Sequence, residues 1–394
     1  MKRRNFLHTL AAGAVLPHLE LPLDKDDWKS VRKQFLIPRD RIYLNVGTLG
    51  AQPRPVVDAV MDVTRRTAQS FPPGVKWPEI NQKVASLLDC DADGLAFPRN
   101  TTEAMNFVAN GLDLAAGDHV VTTNHEHIGG LCCWQLVAKR RQVALTQVDL
   151  TPAPHDPQQV FQQVTAAVTR HTKVISVSHV NFTTGLIMPV RELSRWARER
   201  GIIFVIDGAH PPGLMRISIR DIDPDFYASS PHKWLLAPQG TGMLYMRAPW
   251  RTKLWPTEAS GDWDNLTLGA LRFNHLGTID ESRYAGLLAA LDFHNLIGPE
   301  RGYARIEELR QHLIARLREN PRVHIVSPTD SRGAGMVSFK MDGIEALELQ
   351  KKLAEKNVRT RVIGEYDYGY MRLSPHVYNS DAEIDRVARL MAAN

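Results

Sequence analysis

Cysteine is scarce: the chain holds three, at Cys90, Cys132 and Cys133. They permit at most one internal disulfide, and the adjacent pair is badly placed to bridge itself. Small semi-buried thiols are the expectation. Neither a CxxC nor an HExxH spacing occurs, so no motif points to a metal. No run approaches the roughly 18–20 apolar residues that a membrane span needs. Nowhere do lysines and arginines interleave with aromatics, which argues against nucleic acid as a partner. The formal charge of +5 adds little, because Lys2, Arg3 and Arg4 supply three of those charges. What remains is ordinary globular composition, 43% hydrophobic and 23% charged, over 394 residues, a length at which two packed domains are expected.

The chain opens Met1-Lys-Arg-Arg-Asn-Phe-Leu-His and continues Thr-Leu-Ala-Ala-Gly-Ala-Val-Leu-Pro. Paired arginines before a mildly apolar stretch look like a twin-arginine export signal over residues 1–18, with Ala12-Gly13-Ala14 as a cleavage site. The periplasm is then the expected location. The alternative is a basic tail with no address, which leaves the protein in the cytoplasm. Lys2 stands where Ser or Thr is usual, and His8 interrupts the pattern.

From about residue 95, short β-rich runs alternate with helical stretches. Asp118 to Thr123, Val174 to Val180, Ile202 to Asp207 and Gly242 to Met246 read as buried strands. Thr102 to Leu112, Gly130 to Arg140 and Val190 to Arg200 read as helices between them. This alternation predicts an α/β fold with a mostly parallel sheet, whose ligands sit beyond the carboxyl ends of the strands. After about residue 298 the pattern changes. Tyr303, Ile306, Leu309, Leu313 and Leu317 form one apolar helical stripe behind Pro299-Glu300. Strands at Val323 to Val326 and Gly335 to Phe339, and a helix over Glu345 to Lys356, complete a smaller α/β unit. The expected division is a large domain over 40–297 and a small one from 19–39 and 298–394.

Ser229-Ser-Pro-His-Lys-Trp-Leu-Leu-Ala-Pro-Gln-Gly-Thr-Gly carries most of the chemistry. It places Lys233 at a strand end facing the crevice, and an uncharged lysine amine there can condense with an aldehyde. Asp207 lies in the run Val205-Ile-Asp-Gly-Ala-His210, 26 residues before Lys233. Thr101 and Thr102, in Arg99-Asn-Thr-Thr-Glu, stand at a helix start, where free backbone N–H groups and hydroxyls suit an anion.

Taken together, these motifs resemble the class V aminotransferase family of fold type I pyridoxal-phosphate (PLP) enzymes, over residues from about 40 to the C-terminus. The isopenicillin N epimerase-like and cysteine desulfurase-like branches are the most alike. The resemblance implies a seven-stranded, mostly parallel sheet and PLP held by Lys233 as a Schiff base. Asp207 is then the partner of the pyridine nitrogen and His210 a donor to the ring hydroxyl oxygen. Thr101, Thr102, Ser230 and His232 contact the phosphate, and Thr278 contacts the phosphate of a neighbouring subunit, which implies a homodimer with composite sites. His127 takes the ring-stacking position, with His125 the alternative. Arg372, in Tyr370-Met-Arg-Leu-Ser-Pro, binds the substrate carboxylate, which suits a guanidinium fork.

Two departures narrow the function. The desulfurase branch carries a nucleophilic cysteine shortly before this arginine, whereas Arg359 to Tyr370 here contains none. Without the thiolate there is no persulfide chemistry. Phe182 stands where desulfurases place an asparagine near the ring hydroxyl, and Asn181, one residue earlier, is the substitute candidate. The expected activity is therefore PLP chemistry at Cα of an amino acid or small peptide, epimerase-like. A C–S lyase working without an enzyme persulfide is the alternative, and a non-catalytic PLP-binding protein the reading of another class.

Overall fold

The computed structural model describes residues 27–150, 156–274 and 277–393. The export-like segment over residues 1–18 lies outside them. Among the described residues, no helix is long and apolar enough to cross a membrane.

Seven strands form the larger sheet: β1 (Leu95–Ala96), β2 (His119–Thr123), β3 (Ala144–Val148), β4 (Thr172–Ser178), β5 (Ile203–Asp207), β6 (Phe226–Ser229) and β7 (Met243–Met246). Their order is β1-β7-β6-β5-β4-β2-β3. Strands β2 to β6 run parallel, and β7 is antiparallel to both β6 and β1. The central strands read as continuous apolar runs because helices cover both faces. Ile175, Val177, Phe204, Ile206 and Tyr227 point into one core. Their neighbours Val174, Val205, Phe226 and Ala228 point into the other, as the two-residue period of a strand requires. Each large side chain so buried contributes about 1.5–3 kcal/mol. Strands β3 and β6, not expected from the sequence, are short. β3 is also half-exposed at the sheet edge, so its apolar signal is weak.

A second, antiparallel sheet contains β8 (Val323–Ile325), β9 (Val337–Met341), β10 (Arg361–Ile363) and β11 (Tyr370–Leu373), in the order β10-β11-β9-β8. The helices Pro299–Arg318 and Asp381–Ala392 bury its inner face through Leu309, Leu313, Leu317, Ile384 and Val387. β9 starts two residues later than the sequence pattern predicts. Gly335 adopts φ 63°, and a Cβ there would meet the Trp234 ring at 2.6 Å, so the extended run cannot begin earlier. Ile42–Tyr43 pairs in parallel with Val358–Arg359, and Asn45 bridges to Ser374. These contacts bring the loop 47–50 against the turn after β6, where the Gly50 N–H donates to the His232 carbonyl (2.8 Å).

Candidate active site

Strands β4, β5 and β6 end side by side, with Ser178 opposite Asp207 and Asp207 opposite Ala228. Beyond these ends lies a cavity of about 310 Å³, lined among others by Thr101, Thr102, His127, Asp207, His210, Ser230, His232, Lys233 and Arg372. Nine residues singled out in the sequence thus meet in one place. A wider groove of about 770 Å³, lined by Trp250, Trp255 and Trp263, contains none of them.

Lys233 is held by the turn after β6. Its N–H donates to the Ser230 carbonyl (3.2 Å), and its own carbonyl accepts from Leu236, a residue in the left-handed region at φ 63°. Gly50 packs so tightly here that a Cβ would lie 2.2 Å from the Lys233 carbonyl oxygen. Burial lowers the Lys233 amine to about 8, against the opposing attraction of Asp207 and with help from Arg372 and Arg361. An amine near that value is uncharged for an appreciable part of the time at neutral pH, which nucleophilic attack requires.

The Lys233 Nζ lies 3.3 Å from His210 Nε2. The indole N–H of Trp234 donates to His210 Nδ1 (3.0 Å). Indole can only donate, so Nδ1 must accept, and the remaining proton of the neutral ring sits on Nε2, facing the cavity. Burial keeps His210 neutral by pushing its imidazole well below the usual range. His210 is thereby fixed as a donor into the cavity.

Asp207 is buried at the end of β5. Its Oδ1 accepts from the Ala209 N–H (3.0 Å), while Oδ2 faces Gly130, where a Cβ would come within 2.7 Å. Burial raises its carboxyl above the usual range, and the Lys233 charge opposes this. Such a carboxylate gains from a cationic partner placed against its free oxygen. Helix α1 (Thr101–Gly111) begins at the cavity wall beside Ser230. The Thr101 N–H donates to Ser230 Oγ (3.1 Å), the two hydroxyls lie 2.7 Å apart, and Asn100 caps the Glu103 N–H. These hydroxyls and the helix N-terminus form an anion cradle. His232 Nδ1 is buried beside them without a partner among the described residues.

The two candidate stacking histidines separate cleanly. His127 lies on the cavity wall and caps helix α2 (Ile128–Arg141), its Nδ1 accepting from Gly129 N–H at 3.1 Å. Its ring meets Phe182 edge to face at 5.2 Å, and burial, then Lys233, lowers it to about 4. His125 is fully buried outside the cavity, 2.6 Å from Thr183 Oγ1 and stacked on Tyr368 at 4.9 Å. Two other expected residues do not line the cavity. Asn181 is buried with both amide atoms unpartnered among the described residues, while its neighbour Phe182 lines the wall. Thr278 is exposed away from it.

Arg372, on β11, is 2% exposed. It donates to the Phe182 carbonyl (2.7 Å) and Thr48 Oγ1 (3.1 Å), and its Nε has no partner among the described residues. Burial, then the nearby Arg361 charge, pushes its guanidinium below the usual range. Arg361 also lines the cavity, as do Gly47, Thr48 and Gly129, and sequence reasoning singled out none of these. Arg361 belongs to no spacing motif, and it opens a strand of three residues that the sequence pattern does not declare. None of the three cysteines lines the cavity, and burial pushes the Cys90 and Cys133 thiols up to about 12. No cluster able to hold a metal occurs among the described residues.

A model of the family described as "Aminotransferase class-V" matches residues 74–387. The chain belongs to that family. It is 32% identical to an isopenicillin N epimerase of Streptomyces clavuligerus, over 93% of this chain and 98% of that one. It is 30% identical to a cysteine desulfurase of Haloferax volcanii, over 88% and 87%. A solved structure, a C-DES mutant with glycine covalently linked to its PLP cofactor, superposes with TM-score 0.83 at 25% identity, covering 91% of this chain and 98% of that one. The fold is therefore fold type I, the chain is a class V enzyme, and its cofactor is PLP. The cavity fits that group. Lys233 offers the amine, Asp207 a buried carboxylate with a free oxygen, and Thr101, Thr102 and Ser230 an anion cradle.

Proposed function

We propose that this enzyme removes and returns the Cα proton of an amino acid or small peptide, as an epimerase of the isopenicillin N type does. The observation that carries the reading is the convergence of Lys233, Asp207 and Arg372 on one cavity that no cysteine lines. When bound, PLP supplies an electron sink for the pair left at Cα. Lys233 is the group whose Nζ takes and returns the proton, and an amine lowered to about 8 is matched to that work near neutral pH. With PLP bound, Asp207 would hold a positive charge at the ring nitrogen, and His210, its Nε2–H fixed by Trp234, would donate to the ring hydroxyl. His127 would pack against the ring, and Thr101, Thr102, Ser230 and His232 would hold the phosphate. Arg372 would seat the α-carboxylate of the substrate and so orient its Cα.

A second reading, C–S lysis by β-elimination, is favoured over desulfuration by the same absence of a thiol from the cavity wall. Chiral chromatography of candidate amino acids and peptides after incubation separates the two. Inversion at Cα without loss of the side chain supports the epimerase reading, whereas release of sulfide and a keto acid replaces it with the lyase.

Two further parts belong to the same proposal. Thr278 is exposed and does not line its own chain's cavity, which supports a contact to the phosphate of a second copy in a homodimer. Light scattering that finds only monomer in the active protein rejects this. The paired Arg3 and Arg4 direct export to the periplasm, and replacing both by lysine is expected to hold the protein in the cytoplasm on fractionation.

A further inference from the structure

Arg361 and Arg372 are directly opposite each other across the antiparallel pair β10–β11. Residues so paired project from the same face of a sheet with Cβ atoms about 5 Å apart, and like charges in that position destabilise it. Both guanidinium groups line the cavity. One carboxylate answers them: Glu365 Oε1 lies 2.5 Å from Arg361 Nη2. Among the described residues Arg372 finds only neutral acceptors, Phe182 O, Thr48 Oγ1 and Met336 Sδ, and leaves its buried Nε unpartnered. This end of the cavity therefore has two fixed cations against one internal anion. The phosphate cradle is made by Thr101 at the start of helix α1 and by Ser230 after β6, so the cofactor's own anion does not account for this charge.

We propose that Arg361 is a specificity residue that binds a second carboxylate of the substrate, with Glu365 occupying it until the substrate arrives. This rests on the reading that Arg372 takes the α-carboxylate, and it names the substrate class: an α-amino acid or peptide carrying a further carboxylate. Glu365 is suited to be displaced. It is followed by Tyr366 and Asp367 at φ 58° and 57°, a left-handed pair that L side chains adopt only at a cost. The segment is pinned from the other side by Tyr366 Oη donating to the Glu126 carbonyl (2.7 Å) and by Tyr368, stacked on Tyr370 at 5.2 Å. Glu365 can thus leave Arg361 while these tyrosines keep the turn in place.

Binding, measured without turnover, tests the idea. Holoenzyme is titrated calorimetrically with succinate, glutarate and adipate, and with butyrate as a monocarboxylate. At least one dicarboxylate is expected to bind roughly tenfold or more tighter than butyrate, as an added charged hydrogen bond implies. Arg361→Gln should erase that preference, so that dicarboxylates and butyrate bind alike on the variant, while Arg361→Lys should restore part of it. Glu365→Gln, which removes the internal competitor, should tighten the dicarboxylate. Wild type that does not discriminate, or a preference that survives Arg361→Gln, overturns the proposal. Since no proton transfer is involved, this outcome is independent of whether the epimerase reading holds.

Discussion

The two ends of the cavity are built by different means. At one end, Asp207, Ser230 and Lys233 stand at the termini of β5 and β6, in the turns that follow a sheet buried on both faces. Their positions follow from strand register, and a bond from Trp234 fixes even the tautomer of His210. At the other end, Arg372 on β11 and Arg361 on the edge strand β10 face each other across a four-stranded sheet, and a turn with two left-handed non-glycine residues supplies Glu365. The first end carries the amine, the carboxylate and the hydroxyls that fit the cofactor. The second is the end that we propose selects the substrate. Chemistry tolerates little displacement, so it rests on the rigid core, whereas specificity can be placed on a segment free to change.

Substitutions at the two ends should therefore fail in different ways. The largest effect is expected at the rigid end. Lys233→Ala should lower turnover by roughly 10²–10⁴-fold, since it removes the proton-transferring group, while substrate binding followed by calorimetry survives. Arg372→Ala should act mainly on kcat/KM for substrates with a free α-carboxylate, by about 2–4 kcal/mol, with little change for α-amides, in steady-state assays. Equal losses on both substrate types would erase the division between the two ends.

A pH experiment joins the two ends. Below about 8 the Lys233 amine holds its proton and has no free pair, and above that value it is free. Covalent capture of PLP by the apo-protein, followed by absorbance, should thus accelerate as pH rises through about 8 and then level. Arg372 and Arg361 both depress this amine and Asp207 raises it. Arg372→Ala should accordingly move the midpoint to higher pH, and Asp207→Asn should move it lower. The smallest effect is expected at Tyr366→Phe, which loses one hydrogen bond to the Glu126 carbonyl and should cost about 1 kcal/mol or less, read as a modest rise in KM.

The same contrast explains what the sequence disclosed. Asp207 was legible because it closes a buried apolar run, and such runs declare strand ends, whereas Lys233 and Thr101 were legible from the motifs around them. Arg372 was legible from its motif. Arg361 was not, because it acts through cross-strand pairing with a residue 11 positions away, and only the register of β10 on β11 shows that they share a face. Choosing between His125 and His127 likewise needed three dimensions, since both flank Glu126 in sequence and only the cap on α2 turns one of them toward the cavity. Thr48 and Gly47 reach the site on a loop positioned by the Asn45–Ser374 bridge, some 330 residues away in sequence, which no local pattern could reveal.

The central claim is that Lys233 moves a proton at Cα, and exchange into solvent deuterium reads that step directly. Candidate amino acids and peptides bearing a second carboxylate are incubated in D2O with wild-type holoenzyme and with Lys233→Ala reconstituted with PLP, and Cα deuterium is followed by mass spectrometry. The account predicts incorporation with wild type and its loss, by roughly 10²-fold or more, in the variant. Exchange that persists undiminished in Lys233→Ala would contradict it.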